Sequence, residues 1–240
     1  MRNPADRERT PDRAEKGYLF LAGIFLGALV LTNLIAGRFF FLFGNALSVS
    51  LLAYPVTFLA TDLVSEIYGK KRASQLVKTG FLVSIFVTAV VWLALHTEPA
   101  TTDDGSPIGI PDPYFQTVFG LTPAIVFGSM IAYLTAQFVD VYMFHFWFRL
   151  TKGKHLWLRN NASTVVSQLV DTTLVVTISL VIWPKMVPDG VIQPISFETW
   201  KELVITSYLF KAAVALIDTP LFYLGTYWYR NWVSQDPSRH

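Results

Sequence analysis

The sequence predicts an all-α integral membrane protein of six transmembrane helices, with N and C termini cytoplasmic. Three observations carry that prediction. Only 15% of the 240 residues are charged while 52% are hydrophobic, and a soluble domain carries about 25% charged residues. Uncharged stretches recur at the length of roughly 20 residues that a helix needs to cross about 30 Å of hydrocarbon. The basic residues are concentrated in alternate connections, as they are when basic loops stay in the cytoplasm. The same composition excludes other classes. A net charge of +2 is too small for a nucleic-acid partner bound through a basic surface. With no cysteine, thiolate metal sites and cysteine nucleophiles are absent.

The elements follow in chain order. Residues 1–16 are polar, charged and proline-bearing without apolar periodicity, which reads as a disordered cytoplasmic tail. The stretch 17–232 is one six-helix membrane domain, and 233–240 is a second cytoplasmic tail. Tyr18 to Ala36 is the first span, too long for the apolar core of a cleavable signal peptide. Phe39 to Thr61 is the second, Thr79 to Thr97 the third and Pro113 to Val139 the fourth, all without a charge. Asn160 to Pro184 holds one acid, Asp171, and Leu203 to Tyr229 holds Lys211 and Asp218. The second and fourth spans extend past their first acidic residues. The segment 98–114, rich in proline and glycine, is an extracytoplasmic linker or lid.

Orientation comes from lysine and arginine. Fifteen fall at the N-terminus, at Lys70 to Lys78, at Arg149 to Arg159 and at the C-terminus, against three, Arg38, Lys185 and Lys201, on the other side. That places both termini in the cytoplasm. Trp147, Trp157, Tyr227, Trp228, Tyr229 and Trp232 sit where an interfacial aromatic belt would be.

Ionisable groups inside spans cost at least about 2.5–3.5 kcal/mol each and mark functional sites by default. The chain has Asp62 and Glu66 on the second span, Asp140 on the fourth, Asp171 on the fifth, and Lys211 and Asp218 on the sixth. Tyr133, Gln137 and Asp140 share a helix face, as do Thr164, Gln168 and Asp171. A rise of 1.5 Å per residue puts Asp171 and Lys211 each about 16–18 Å from its own surface, near the midplane. Opposite charges at one depth are expected to pair or to share a ligand. The set Asp171, Asp140, Gln168, Gln137, Lys211, Asn33 and Tyr133 would line a polar cavity for a small molecule. Carboxylates accept hydrogen bonds, amides do both, and lysine donates, which suits a purine-like edge but also a sugar, an amino acid or a cationic vitamin. Asp62, Glu66 and Asp218 are assigned to coupling or charge balance. Gln137 and Gln168 as interhelical glue, and Asp62 and Glu66 as interfacial acids, are the plainer alternatives. No metal, phosphate-loop or nucleophile motif is present, so neither a cofactor nor a metal is expected, and the chain reads as no enzyme.

Three strings, Phe58-Leu-Ala-Thr-Asp-Leu-Val-Ser-Glu-Ile-Tyr-Gly-Lys-Lys-Arg-Ala, Lys154-His-Leu-Trp-Leu-Arg-Asn-Asn-Ala-Ser-Thr and Ser167-Gln-Leu-Val-Asp-Thr, resemble the queuosine precursor transporter family of vitamin-uptake-transporter-like proteins. The similarity runs from Thr32-Asn-Leu-Ile-Ala to Tyr208-Leu-Phe-Lys, departing at Arg38, where a lysine is expected. The resemblance implies a multi-pass protein of the cell inner membrane, with a six-helix fold like the substrate-binding subunits of energy-coupling-factor transporters. It implies import of 7-deazaguanine precursors (7-cyano- or 7-aminomethyl-7-deazaguanine, or queuine) for tRNA modification. Asp140 and Asp171 would then hold the N1–H and 2-amino edge, Gln137 and Gln168 the remaining edge, and Lys211 the carbonyl oxygen. Two other readings stay open: a binding subunit that requires a separate ATPase module, and a membrane enzyme acting on a lipid. Membrane lipid is an expected partner, and self-association stays open.

Overall fold

The computed structural model describes residues 13–152, 156–187 and 193–234, without the side chains of residues 140, 141, 144, 156–161, 164, 215–219, 230 and 232–234. Among the described residues five helical stretches are long and apolar enough to cross a membrane: Arg13–Ile35, Val49–Tyr68, Lys70–Leu95, Asp112–Val139 and Val165–Met186. Their outer faces carry exposed Phe20, Leu82, Phe86 and Phe138, the surface expected of helices in lipid rather than water.

Helix α1, Arg13–Ile35, begins inside the segment expected to be a tail. The second span is where the prediction needs correction, because Phe39 to Thr61 is not one helix. Strands β1, Phe39–Leu42, and β2, Asn45–Ser48, form an antiparallel hairpin. It turns at Phe43 (φ 50°) and Gly44 (φ 79°), two consecutive left-handed residues of the kind that match the twist of paired strands. A 3-10 turn over Val49–Leu52, started by the Ser48 side chain, leads into α2, Tyr54–Tyr68, with Pro55 in its first turn. The hairpin is held to the last helix by side chains: Ala46 N donates to Glu202 Oε1 (3.0 Å), and Thr206 Oγ1 donates to Ala46 O (3.0 Å).

Gly69, at φ 85°, turns the chain directly from α2 into α3, Lys70–Leu95. The 98–114 segment contains a closed turn, in which Thr102 N donates to Ser106 O (2.8 Å) and Gly105 N to Thr102 O (2.9 Å). Its end is already helical, as α4, Asp112–Phe119. The fourth span is divided between α4 and α5, Thr122–Leu150. Pro123 explains the break, since it has no N–H for the carbonyl of residue 119.

Helix α6, Leu156–Thr177, continues through a π turn at Ile178–Ile182 into the short α7, Trp183–Met186. Pro184 cannot bond the carbonyl of Leu180 four residues earlier, and a local widening next to proline is a known remedy. The Leu180 carbonyl accepts instead from Ile195 N at 3.2 Å. Helix α8, Phe197–Ser234, is 38 residues long with Pro220 inside.

Two buried clusters close the two ends of the bundle. Leu121, Ala124, Ile125, Leu180 and Leu203 pack beneath the hairpin, and Phe25, Ala60, Val64 and Leu76 pack where α1, α2 and α3 meet. Helix α5 also carries small residues four apart and all buried, Ala124, Gly128, Ala132 and Ala136, with Gly128 against Ile178 and Ser179 of the π turn. That spacing lets two helix backbones approach closely. At the end where α1 begins, Tyr68 and Tyr229 bond each other, and the carbonyl of Ala14 accepts from the pair. The Arg72 guanidinium lies 5.1 Å from the Tyr18 ring and 5.6 Å from the Tyr68 ring.

Candidate functional site

Lys211 stands in the middle of α8 with its side chain only 9% exposed, and its Nζ lies 2.9 Å from Asp171 Oδ2 on α6. A buried ammonium is costly unless paired, and a charge-assisted bond at this distance is how the cost is offset. The pairing expected from the depth of these two residues is therefore present. Asp171 keeps 24% of its side chain accessible, so the carboxylate is not wholly consumed by the lysine.

Tyr54, at the first turn of α2, completes the arrangement. Its ring centroid is 4.8 Å from Lys211 Nζ, inside the range in which a cation is attracted to an aromatic face. The ring of Phe58, one turn on, lies 4.5 Å from that of Tyr54. Thus α2, α6 and α8 meet at one point that offers a cation, an anion and an aromatic wall. Two further bonds tie α8 to α6 on either side: Trp200 Nε1 donates to Thr177 Oγ1 (2.9 Å), and the Tyr208 hydroxyl donates to Val165 O (3.4 Å).

Of the other sequence candidates, Asn33 on α1 is buried at 8% exposure, and Gln168 is half-buried, three residues before Asp171 on α6. Tyr133 and Gln137 are exposed, because the buried face of α5 is taken by its small residues. Asp62 and Glu66 are exposed on α2. The side chains of Asp140 and Asp218 lie outside the described residues. The structure thus brings Asp171 and Lys211 together and leaves Tyr133, Gln137, Asp62 and Glu66 on exposed surface.

Tyr54 was not among the sequence candidates. A tyrosine at the edge of an apolar run has no charge to betray it, and only the Tyr54/Phe58 spacing of one helical turn hints at an aromatic wall. Thr32 and Thr172 were also overlooked. Each buries a hydroxyl with no hydrogen-bond partner among the described residues, beside Asn33 and Asp171 respectively. Buried hydroxyls usually find a partner, and among the described residues these two have none. Among the described residues no group of three His, Asp or Glu side chains is placed to hold a metal ion.

Comparison with known proteins adds an independent finding. Residues 48–225 match the family model described as "Putative vitamin uptake transporter". A "Probable queuosine precursor transporter" of Bacillus subtilis (strain 168) is 33% identical over 198 residues, covering 82% of this chain and 79% of that protein. The "Queuosine precursor transporter" of Escherichia coli (strain K12) is 26% identical over 175 residues, covering 73% of this chain and 68% of that one. No solved structure matches the chain. The matched segment includes Tyr54, Asp171 and Lys211.

Proposed function

The chain belongs to the queuosine precursor transporter family, and from that premise we propose that it imports a 7-deazaguanine base across the cell inner membrane for tRNA modification. The observation that carries the proposal is the Lys211–Asp171 pair buried against Tyr54 at the meeting of three helices. A deazaguanine is planar, with a carbonyl oxygen on one edge and N–H donors beside it. The Tyr54 and Phe58 rings offer a surface for the plane. The accessible part of the Asp171 carboxylate accepts from the N–H edge, and Lys211, which has three donors, reaches the carbonyl oxygen. Binding would then exchange part of the lysine–carboxylate bond for bonds to the base, so the two charges stay satisfied with the base present or absent.

In this reading α8 is the sixth span, both termini are cytoplasmic, and the hairpin and the 98–111 segment lie on the opposite side. Asn33, Gln168, Gln137, Tyr133 and Asp140 remain candidates for contacts along the path, and Asp62, Glu66 and Asp218 for coupling or charge balance. The buried hydroxyls of Thr32 and Thr172, which have no hydrogen-bond partner among the described residues, join them.

The test is uptake in a strain that cannot make queuosine, supplied separately with each precursor and with queuine. Expression of the wild-type chain should restore the modified nucleoside in tRNA for at least one of them. An Asp171→Asn variant that inserts normally should fail with the same compound. Restoration by that variant at the wild-type rate would overturn the assignment of Asp171.

A further inference from the structure

The first turns of α3 carry a feature that the transport site does not use. Lys70, Lys71, Ser74, Gln75 and Lys78 line a shallow, open depression of about 360 Å³. Lys71, Ser74, Gln75 and Lys78 stand at i, i+3, i+4 and i+7, and Lys70 is one turn before Ser74, so all five share one helix face. All are exposed. Among the described residues none of the three lysines is paired with a carboxylate. Arg72, on another face, is occupied by the Tyr18 and Tyr68 rings.

The position of this stripe along the span is informative. Helix α3 has 26 residues, about 39 Å at 1.5 Å per residue, whereas the hydrocarbon core takes about 30 Å. The excess is at the Lys70 end, because from Thr79 to Leu95 no charged residue follows. Lys71 and Lys78 are separated by about 10 Å of rise, so the stripe runs the depth of one headgroup layer, with Lys78 at its hydrocarbon edge. Two neutral hydrogen-bonding side chains, Ser74 and Gln75, lie between the cations. The first three N–H groups of α3 also lack intrahelical partners. A row of unneutralised ammonium groups at this depth, interleaved with donors, is complementary to a phosphodiester on a glycerol backbone.

We propose that the Lys70–Lys78 face of α3 is a binding surface for the headgroup of an anionic phospholipid, with the phosphate held between Lys71, Ser74 and Lys78. This goes beyond the transport reading and does not depend on which solute is carried. It requires only that α3 spans the bilayer.

The experiment uses the full chain purified in detergent, incubated with phosphatidylglycerol or phosphatidylcholine, and analysed by native mass spectrometry for retained lipid. Wild type is expected to retain phosphatidylglycerol in preference to phosphatidylcholine. The double variant Lys71→Gln/Lys78→Gln is expected to reduce that retention about tenfold, because each cation near an anionic surface contributes substantially to lipid attraction. Ser74→Glu is the second variant. It keeps every lysine, and so the charge count that sets topology, while placing a carboxylate one turn from both Lys70 and Lys78, and it should reduce retention to a similar degree. Lys201→Gln, on α8 and outside the stripe, should retain lipid as wild type does. Equal retention of the two lipids by wild type would overturn the proposal. So would wild-type retention by a monodisperse Ser74→Glu protein.

Discussion

Gly128 packs so closely on Ser179 that a Cβ built at position 128 would lie 2.6 Å from the serine Oγ. The same Cβ would meet the Ile178 side chain at 3.4 Å, and Ser179 Oγ is itself bonded to Ala124 O at 3.2 Å. Alanine in a helix is favoured over glycine by about 1 kcal/mol, but overpacking costs about 1–3 kcal/mol. The contact is below van der Waals distance, so the second effect prevails. Gly128→Ala should lower the thermal midpoint of the detergent-solubilised protein, and Gly128→Leu should lower it further. Adding Ser179→Ala should return part of the loss in the alanine case, which a double-mutant cycle would show.

The Lys211–Asp171 pair makes opposite predictions for single and double variants. Removing Asp171 leaves a buried ammonium, a loss of about 3–5 kcal/mol, and removing Lys211 leaves a carboxylate that is only partly accessible, a smaller loss. Asp171→Leu and Lys211→Met should each reduce the yield of folded protein, while the two together should recover most of it. Transport should not return with folding. A double variant that folds and still imports would show that the pair serves structure alone.

Tyr54→Phe keeps the ring and Tyr54→Ala removes it. If the aromatic face meets the solute, phenylalanine should bind the imported base within a few-fold of wild type, and alanine should weaken binding by about tenfold, the scale of about 1 kcal/mol or more for a lost aromatic contact. Equilibrium binding to the purified chain reads this directly. Similar losses in both variants would instead assign the role to the hydroxyl.

Asp104 gives a prediction outside the membrane. Its carboxylate accepts from the Thr102 hydroxyl first and from Ser106 N and Oγ, and these bonds hold it below its ordinary value of 3.8. A carboxylate depressed in the folded turn stabilises that turn above the unfolded pKa. The contribution is lost as pH falls through the lower folded value. NMR titration of the Asp104 side chain should therefore show a midpoint below that of the same residues in a free peptide. Thr102→Val should move it upward.

The tyrosine clasp at the α1 end is tested by crowding it. A Cβ at Gly17 would clash with the Tyr229 ring and come within 2.9 Å of the Tyr68 hydroxyl. Gly17→Ala should then separate the ends of α1, α2 and α8, and Tyr68→Phe, which loses the bonds to Tyr229 and to Ala14 O, should cost about 0.5–1.5 kcal/mol for each. Heating curves of the purified protein measure both, and the alanine variant should be the more damaging.

How far the sequence could be read depends on the kind of signal. Spans α1 and α3 were legible because uninterrupted apolar length is a property of the residues alone. Phe39–Leu42 misled for the same reason, since a run of phenylalanine adds apolar length whether the backbone is helical or pleated. The signal against a helix was the short Phe43-Gly44-Asn45 turn, and it was outweighed by hydrophobicity. At the site, Asp171 and Lys211 stood out because each is a charge where charges are rare. Tyr133 and Gln137 shared a face with Asp140 in the periodicity, but periodicity does not say which face is buried. The buried face is instead the one that carries Ala124, Gly128, Ala132 and Ala136. Tyr54 was hidden because its partner, Lys211, is more than 150 residues away.

Both backbone groups of Ala46 are bonded to α8, one to Glu202 and the other to Thr206, and Lys211 stands only a little further along that same helix. A helix slides or tilts as a stiff rod, so the hairpin and the lysine are coupled mechanically. Any stroke of α8 that draws Lys211 away from Asp171 must drag the hairpin tip with it or break those two bonds. Phe43, at the turn of that hairpin and 94% exposed, is the position where such a movement is expected to show at the surface. A fluorophore or spin label at position 43 would follow the state of that pair without touching it.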